Sequence, residues 1–213
     1  MAKPTDRYAA LRTRLIDAAE RTVTERGLDA VKARDLAAEA ECAIGTIYNV
    51  FEHLDELVLC VDARTLAMLD SALRAARSTQ PYGSPEEAVA DLVQLALAYL
   101  DFAARHRVRW RALFEHRLSD GHSLPEWYVE QQHLLFAQVE GPLAALLPDL
   151  DDDQRRVLAR TLFSAVHGVV ALGLEEKLIS LPLPNLRAQV AAVVRAIAKG
   201  RDELRNGNSV SPP

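Results

Sequence analysis

An all-α fold is what this sequence predicts, and three observations carry the prediction. Glycine is scarce, at 9 of 213 residues, while the strong helix formers alanine, leucine, arginine and glutamate dominate. Apolar residues recur at intervals of three and four instead of alternating. No stretch reads as a strand or an internal repeat. About nine helices are expected.

The elements follow in chain order. Leu11, Leu15, Ala19 and Val23 step by four and define a first helix, which the glycine of Arg26-Gly27 closes. From Val31 to Ala40, the residues Val31, Leu36, Ala37 and Ala40 mark a short second helix. From Ala43 to Phe51, Ile44, Ile47 and Phe51 fall three and four apart on one face of a third. These two lie about four residues apart, the spacing of a helix-turn-helix. Leu57, Val58, Val61, Thr65, Met68, Leu69 and Ala72 then carry a long stripe from Leu54 to Ala76.

The loop 78–83 gives way at Ser84-Pro85-Glu86-Glu87 to an N-cap, a first-turn proline and a capping-box glutamate. The helix this starts, Pro85 to Arg105, buries Val89, Leu92, Leu95, Ala96, Tyr99 and Phe102. A basic helix from His106 to Leu118 breaks at Ser119-Asp120-Gly121-His122-Ser123. Pro125 to Leu147 reads as helix, with Gly141-Pro142 expected to kink or interrupt it. The acidic run Asp149 to Asp153 suits a helix amino end, and the helix it opens buries Leu158, Leu162, Ala165, Val166 and Val169. Leu181-Pro182-Leu183-Pro184 precedes a last helix, Asn185 to Leu204, and the tail from Asn206 to Pro213 is expected to be disordered. The domains expected are a helix-turn-helix unit (1–53), a larger helical bundle (54–205) and the tail (206–213).

Composition narrows the function. An apolar content of 49% is that of an ordinary globular protein. There is no run of 18 apolar residues, no apolar signal core at the amino terminus, and two cysteines far from any ligand spacing, so a reduced, cytoplasmic protein outside the membrane is expected. The net charge of −5 argues against general nucleic-acid coating. Yet Lys3 to Arg34 holds eight basic residues against five acidic ones, which fits a chain that touches phosphates with one end.

On the third helix Thr46, Tyr48, Asn49 and Val50 are left to look outward. An apolar back with such a front can lie in a major groove, with Thr46 and Asn49 against base edges and Ile44 or Val50 against thymine methyls. No charged residue lies between Ala43 and Phe51. Ala43 is also a poor N-cap, forgoing about 1 kcal/mol. Lys32 and Arg34 either meet phosphates or are solvated surface charge. Gly45 either lets the backbone approach DNA or relieves crowding between helices.

Arg34-Asp35-Leu36-Ala37, Gly45-Thr46-Ile47-Tyr48, Phe51 and Leu57 resemble the DNA-binding domain of TetR-type regulators over roughly Arg14 to Leu59. The resemblance implies a homodimeric, all-helical repressor whose second domain binds a small ligand, and it implies a phosphate contact for the Tyr48 hydroxyl. Trp110-Arg111-Ala112-Leu113-Phe114 with Ser164-Ala165-Val166-His167-Gly168 and Leu172 resemble the ligand domain of the subgroup named for its Trp-His-Gly signature. Two departures stand out. The turn reads Glu41-Cys42-Ala43 where the family has glycine and a small cap. Leu54 stands where the family has a phosphate-binding lysine.

Candidate effector contacts are Tyr99, Phe102, Trp110, Phe114, Trp127, Phe163 and His167, joined by His133 and Phe136, since ligand pockets are mostly apolar with a few placed polar groups. Each aromatic alone reads equally as core, and His167 as a buried histidine satisfied by a carbonyl. Gly168 is expected to let a neighbouring helix come close. Two apolar stripes, Leu162, Ala165, Val166, Val169 and Val170, and Val190, Val193, Val194 and Ile197, suit a four-helix dimer interface across a two-fold axis. No metal site or cofactor is expected, because His106, His116, His122 and His133 are scattered with no cysteine or carboxylate at close ligand intervals. Nor is an enzyme: there is no nucleophile elbow and no phosphate-binding glycine loop. The leading reading is a repressor that binds a palindromic double-stranded DNA operator as a homodimer, released by a small hydrophobic effector. The alternative is a helical small-molecule binding protein with a weakened DNA-binding head.

Overall fold

The computed structural model describes residues 4–175 and 181–200, which leaves the tail expected from Asn206 onward outside the described residues. Nine α-helices and no strand occur among them: α1 (Pro4–Arg26), α2 (Ala33–Glu39), α3 (Ile44–Val50), α4 (Leu54–Ala76), α5 (Pro85–Arg105), α6 (Arg107–Glu115), α7 (Glu126–Leu146), α8 (Asp152–Gly173) and α9 (Leu183–Lys199), with a 3-10 turn at Leu28–Ala30. They divide into two compact units, Met1–Met68 with His106–Gln131, and Leu69–Arg105 with Gln132–Pro213. The packing thus groups α6 with the amino-terminal helices, a grouping that no single boundary at residue 53 expresses.

The first unit is built on α1. Leu15, Ala18, Ala19 and Val23 pack with Leu36, Ala37, Ala40, Ile47, Phe51, Leu57 and Val61 into one core, to which α6 adds Ala112. The α1 stripe ends where expected, with Gly27 at a φ of 83°. Its start lies earlier than the stripe, because Pro4 can occupy a first turn whose amides need no partner. Arg109 of α6 is buried, and its charge is met by Glu20 of α1 at 2.7 Å and by the Thr65 hydroxyl at 3.1 Å. Arg64 bonds Asp17 at 2.7 Å and also Glu20. Buried charge requires such pairing, so this network fixes α6 on α1 and α4.

At the start of α4, Asp55 is a hub. His122 lies 2.8 Å away, the Ser119 amide donates at 3.0 Å, and His116 approaches at 3.4 Å. Burial alone would raise the Asp55 pKa, but these hydrogen bonds outweigh it and hold the carboxyl well below the usual carboxylate range.

The second unit packs α5, α8 and α9 together. Leu92, Leu95, Leu100 and Phe102 of α5, Leu158, Leu162, Val166 and Val170 of α8, and Leu186, Val190 and Val194 of α9 are buried. The close approach of α8 to α9 falls at Gly173, where a Cβ would sit 2.4 Å from Leu186, and not at Gly168, beside which nothing lies within 4 Å. Helix α8 opens on a capping box, Asp151 accepting from the Gln154 amide at 2.8 Å and Gln154 accepting from the Asp151 amide at 3.1 Å. Ser84 caps α5 through the Glu87 amide at 3.3 Å. Of the kink or interruption expected at Gly141-Pro142, the interruption does not occur: α7 continues through Pro142. A proline so near the carboxyl end removes one hydrogen bond, and buried Leu143 and Leu146 hold the last turn in place. A Cβ at Gly141 would lie 2.9 Å from the guanidinium end of Arg77, a flexible group that can move aside.

Among the described residues α8 is long and apolar enough, by length and composition, to cross a membrane. Here it packs against α5 and α9 instead.

Candidate nucleic-acid interface and effector site

Helices α2 and α3 meet through a turn that the sequence does not favour. The Cys42 amide donates to Ala37 at 2.9 Å and the Glu41 amide to Ala38 at 3.2 Å, the pair of bonds of a Schellman motif. Its left-handed position is Glu41, at a φ of 52°, where glycine would sit without strain. Two residues on, Ala43 is the N-cap of α3 and makes no side-chain capping bond. The departure at Glu41-Cys42-Ala43 is therefore a structural fact about this turn.

Ile47 and Phe51 anchor the back of α3 in the core. Tyr48 is 51% exposed, and Gly45 and Asn49 are exposed with Thr46 partly so. A Cβ at Gly45 would meet nothing within 4 Å, so relief of crowding does not explain this glycine. Two positions depart from expectation. Ile44 is 46% exposed and does not join Ile47 in the core, because it occupies the first turn, beyond the reach of α1. Val50 is half-buried against the core and does not look outward, since the last turn tucks toward Phe51. Lys32 is the N-cap residue of α2 and Arg34 lies in its first turn; both are exposed and make no ion pair with a described residue. Arg21, by contrast, is occupied by Glu39 at 2.5 Å. Sequence reasoning did not single out Arg12, which lies over the Phe51 ring at 4.9 Å and braces α3 from α1.

The effector candidates separate. In the second unit, the Tyr99 hydroxyl lies 2.7 Å from Nδ1 of His167. Phe163 stands edge-on to Tyr99, with ring centroids 5.4 Å apart, and edge-on to Phe136 at the same separation. Phe102 is buried on the same helix as Tyr99. Burial lowers the His167 pKa, which favours the neutral ring, and its Nδ1 shares a hydrogen bond with the Tyr99 hydroxyl. In the first unit, Trp110 is buried with Phe114 edge-on at 5.5 Å, while Phe114 itself and Trp127 are exposed. His133 is exposed on α7.

The residues expected to face a dimer partner also divide. Leu162, Val166, Val170, Val190 and Val194 are buried within the single chain, because α5, α8 and α9 cover one another, so they are core. Ala165, Val169, Val193 and Ile197 remain partly exposed. On α8, Val157, Thr161 and Ser164 are also exposed, Gly168 is half-buried, and Leu172 is 62% exposed.

Two family models match. Residues 15–60 match bacterial regulatory proteins of the tetR family, and residues 92–197 match the tetracyclin repressor-like C-terminal domain, a general description that does not name the Trp-His-Gly subgroup. A comparison with curated proteins finds no match. Among solved structures, the chain is similar to a protein of unknown function from Rhodococcus sp. RHA1, at 23% identity and a TM-score of 0.62, over 92% of this chain and 94% of that one. It is similar to a TetR transcriptional regulator from the same organism, at 17% identity and a TM-score of 0.57, over 89% and 96%. It is similar also to RolR in complex with its ligand resorcinol, at 18% identity and a TM-score of 0.63, over 98% of each chain. At these identities the likeness is one of fold.

Proposed function

Because this chain belongs to the TetR family of bacterial regulatory proteins, and so is a transcription regulator, we propose that it is a repressor that binds a palindromic operator as a homodimer and is released by a small hydrophobic effector. The observation that carries the reading is the exposed face of α3, with Gly45, Tyr48 and Asn49 in solvent above a fully buried Ile47. Thr46 and Asn49 read base edges, Ile44 meets a thymine methyl, and Tyr48, Lys32 and Arg34 hold phosphates. Val50 contributes by seating the helix. Two such helices must lie about 34–36 Å apart to enter successive major grooves. The dimer face we assign is the partly exposed one: Ala165, Gly168, Val169 and Leu172 of α8 with Val193 and Ile197 of α9. The effector is assigned to the neighbourhood of Tyr99, Phe102, Phe163 and His167. RolR, whose ligand resorcinol is a small aromatic molecule, shares the fold and supports that size class. Trp110, Phe114 and Trp127 are retained as contacts to be tested separately.

A gel-shift titration against the DNA upstream of the chain's own gene tests the reading. The parent should bind a palindromic segment, and Tyr48→Ala should weaken all sequences alike while Thr46→Ala relaxes specificity. Equal binding by parent and both variants would remove α3 from the interface. The strained Glu41 and the uncapped α3 favour a second reading, a small-molecule binding protein with a weakened DNA head. Under it no operator is found, while hydrophobic metabolites still raise the melting temperature of the parent, by less in His167→Ala and Phe163→Ala.

A further inference from the structure

Histidines that look scattered in the sequence converge in the first unit. His53, Asp55 and His122 each bring one donor atom within 4.8 Å of the others, although Asp55 and His122 lie 67 residues apart in the chain. The His53 and His122 rings stack face to face, with centroids 3.8 Å apart and planes 14° from parallel. That geometry is less favoured than an offset or edge-on one, so it reflects where the backbone places the rings. Near-parallel rings send their lone pairs along near-parallel lines, so joint ligation beside the Asp55 carboxylate requires the His53 ring to turn out of the stack.

We propose that His53, Asp55 and His122 form a site for a divalent cation of the zinc class, with water completing the coordination. The donor set selects the ion: two imidazoles and a carboxylate, with no thiolate, suit zinc, cobalt or nickel and not the oxygen-seeking calcium or magnesium. Ligand bonds of about 2.0–2.2 Å put donors on one ion roughly 3.2–3.5 Å apart. The His122 Nδ1 to Asp55 Oδ2 separation of 2.8 Å is a hydrogen bond on the scale that the ion would open slightly. His122 then carries its proton on Nε2, and its Nδ1 lone pair goes to the metal; a neutral ring loses no proton in the exchange.

His53 is also able to turn over a nitrogen. Its Nδ1 accepts the Glu56 amide at 3.0 Å, but that amide has a second acceptor, the His53 carbonyl at 3.2 Å, so it is not orphaned when the ring is withdrawn. His116 is the positioning residue. It lies 3.4 Å from the other oxygen of Asp55 and 3.1 Å from buried Asp62, and so fixes the carboxylate's orientation. His122 is on an exposed segment, which leaves the ion an entry path. Bound there, it ties the segment after α6 to the first turn of α4.

The test uses the full chain, stripped by chelator and titrated with zinc chloride in a calorimeter, and in parallel with cobalt chloride followed by visible absorption. The expected result is saturable binding of a single equivalent at micromolar zinc, with cobalt bands of low-coordinate nitrogen and oxygen ligation. His53→Ala and His122→Ala should each weaken binding by about tenfold or more, and His116→Gln by less. His133→Ala, on the exposed face of α7, should bind like the parent. His122→Ala remains decisive if His53→Ala fails to fold, because an exposed loop side chain can be removed with the core intact. No saturable binding, or binding that survives both alanine variants unchanged, would overturn the site and leave the cluster a hydrogen-bonded fastener.

Discussion

The turn between α2 and α3 can be made more stable by two substitutions that touch nothing else. Glu41 sits at a φ of 52° with its side chain in solvent and no hydrogen bond to a described residue. A left-handed residue with a Cβ costs about 1–2 kcal/mol. Glycine removes that cost but adds about 0.4–1 kcal/mol of unfolded-chain entropy. Glu41→Gly should therefore gain roughly 0.5–1 kcal/mol. Ala43→Ser supplies the missing acceptor for the free amides of α3 and should gain about 1 kcal/mol. Together they are worth about 1.5–2 kcal/mol, or roughly 5 °C in a chain of this size. Thermal unfolding of the full chain followed by circular dichroism gives the number, and hydrogen exchange of the α3 amides locates it. Glu41→Ala is the control, because alanine keeps the backbone penalty and should change little. If Glu41→Gly is no more stable than Glu41→Ala, the backbone of residue 41 is not left-handed and the reasoning fails.

Further outcomes follow from the second unit. Gly173→Ala must displace Leu186 and should cost about 1–3 kcal/mol by denaturant titration, whereas Gly168→Ala, inside α8 with nothing within 4 Å, should cost nothing and gain up to about 0.5–1 kcal/mol of helix stability. On the dimer face assigned here, Leu172→Arg should give monomers in sedimentation with the fold retained, while Val194→Arg, at a position only 1% exposed, should unfold the bundle. Two-fold association undiminished in Leu172→Arg would reassign the interface. Burial depresses the folded-state pKa of His167, so the unfolded chain takes up the proton more readily. Stability should then fall as pH drops through about 6.5, the ordinary histidine value, and melting curves of His167→Asn should lose part of that dependence. Because His116, whose pKa burial lowers but Asp62 and Asp55 raise on balance, contributes with the opposite sign, the variant is the test: a His167→Asn protein that keeps the whole parental pH dependence would contradict this reasoning.

Periodicity made the helices legible, since α4, α5 and α8 each carry an apolar stripe long enough to outweigh any local ambiguity. It could not say which neighbour covers a stripe. Val166 and Val190 read equally well as core and as interface until α5 is seen to lie on α9. At Ile44 and Val50 the period was right and the element too short, because one turn at either end of a seven-residue helix escapes the core geometry. Gly173 needed a three-dimensional neighbour, Leu186, that no spacing reveals. The cluster at Asp55 was hidden for the same reason: its partners sit in a segment that reads only as a break between helices.

The uncharged α3 has a consequence for how such a regulator would share a chromosome. Attraction to DNA of any sequence grows with the number of phosphates neutralised, and between Ala43 and Phe51 this chain offers no cation to neutralise one. Its grip on random sequence would rest on the helix amides and on cations outside α3, such as Lys32 and Arg34. The millions of wrong sites in a genome would then sequester few molecules, and a small copy number would suffice to keep the right site filled. The same economy slows the search, because a protein that barely adheres slides only briefly and must reach its target mostly through solution.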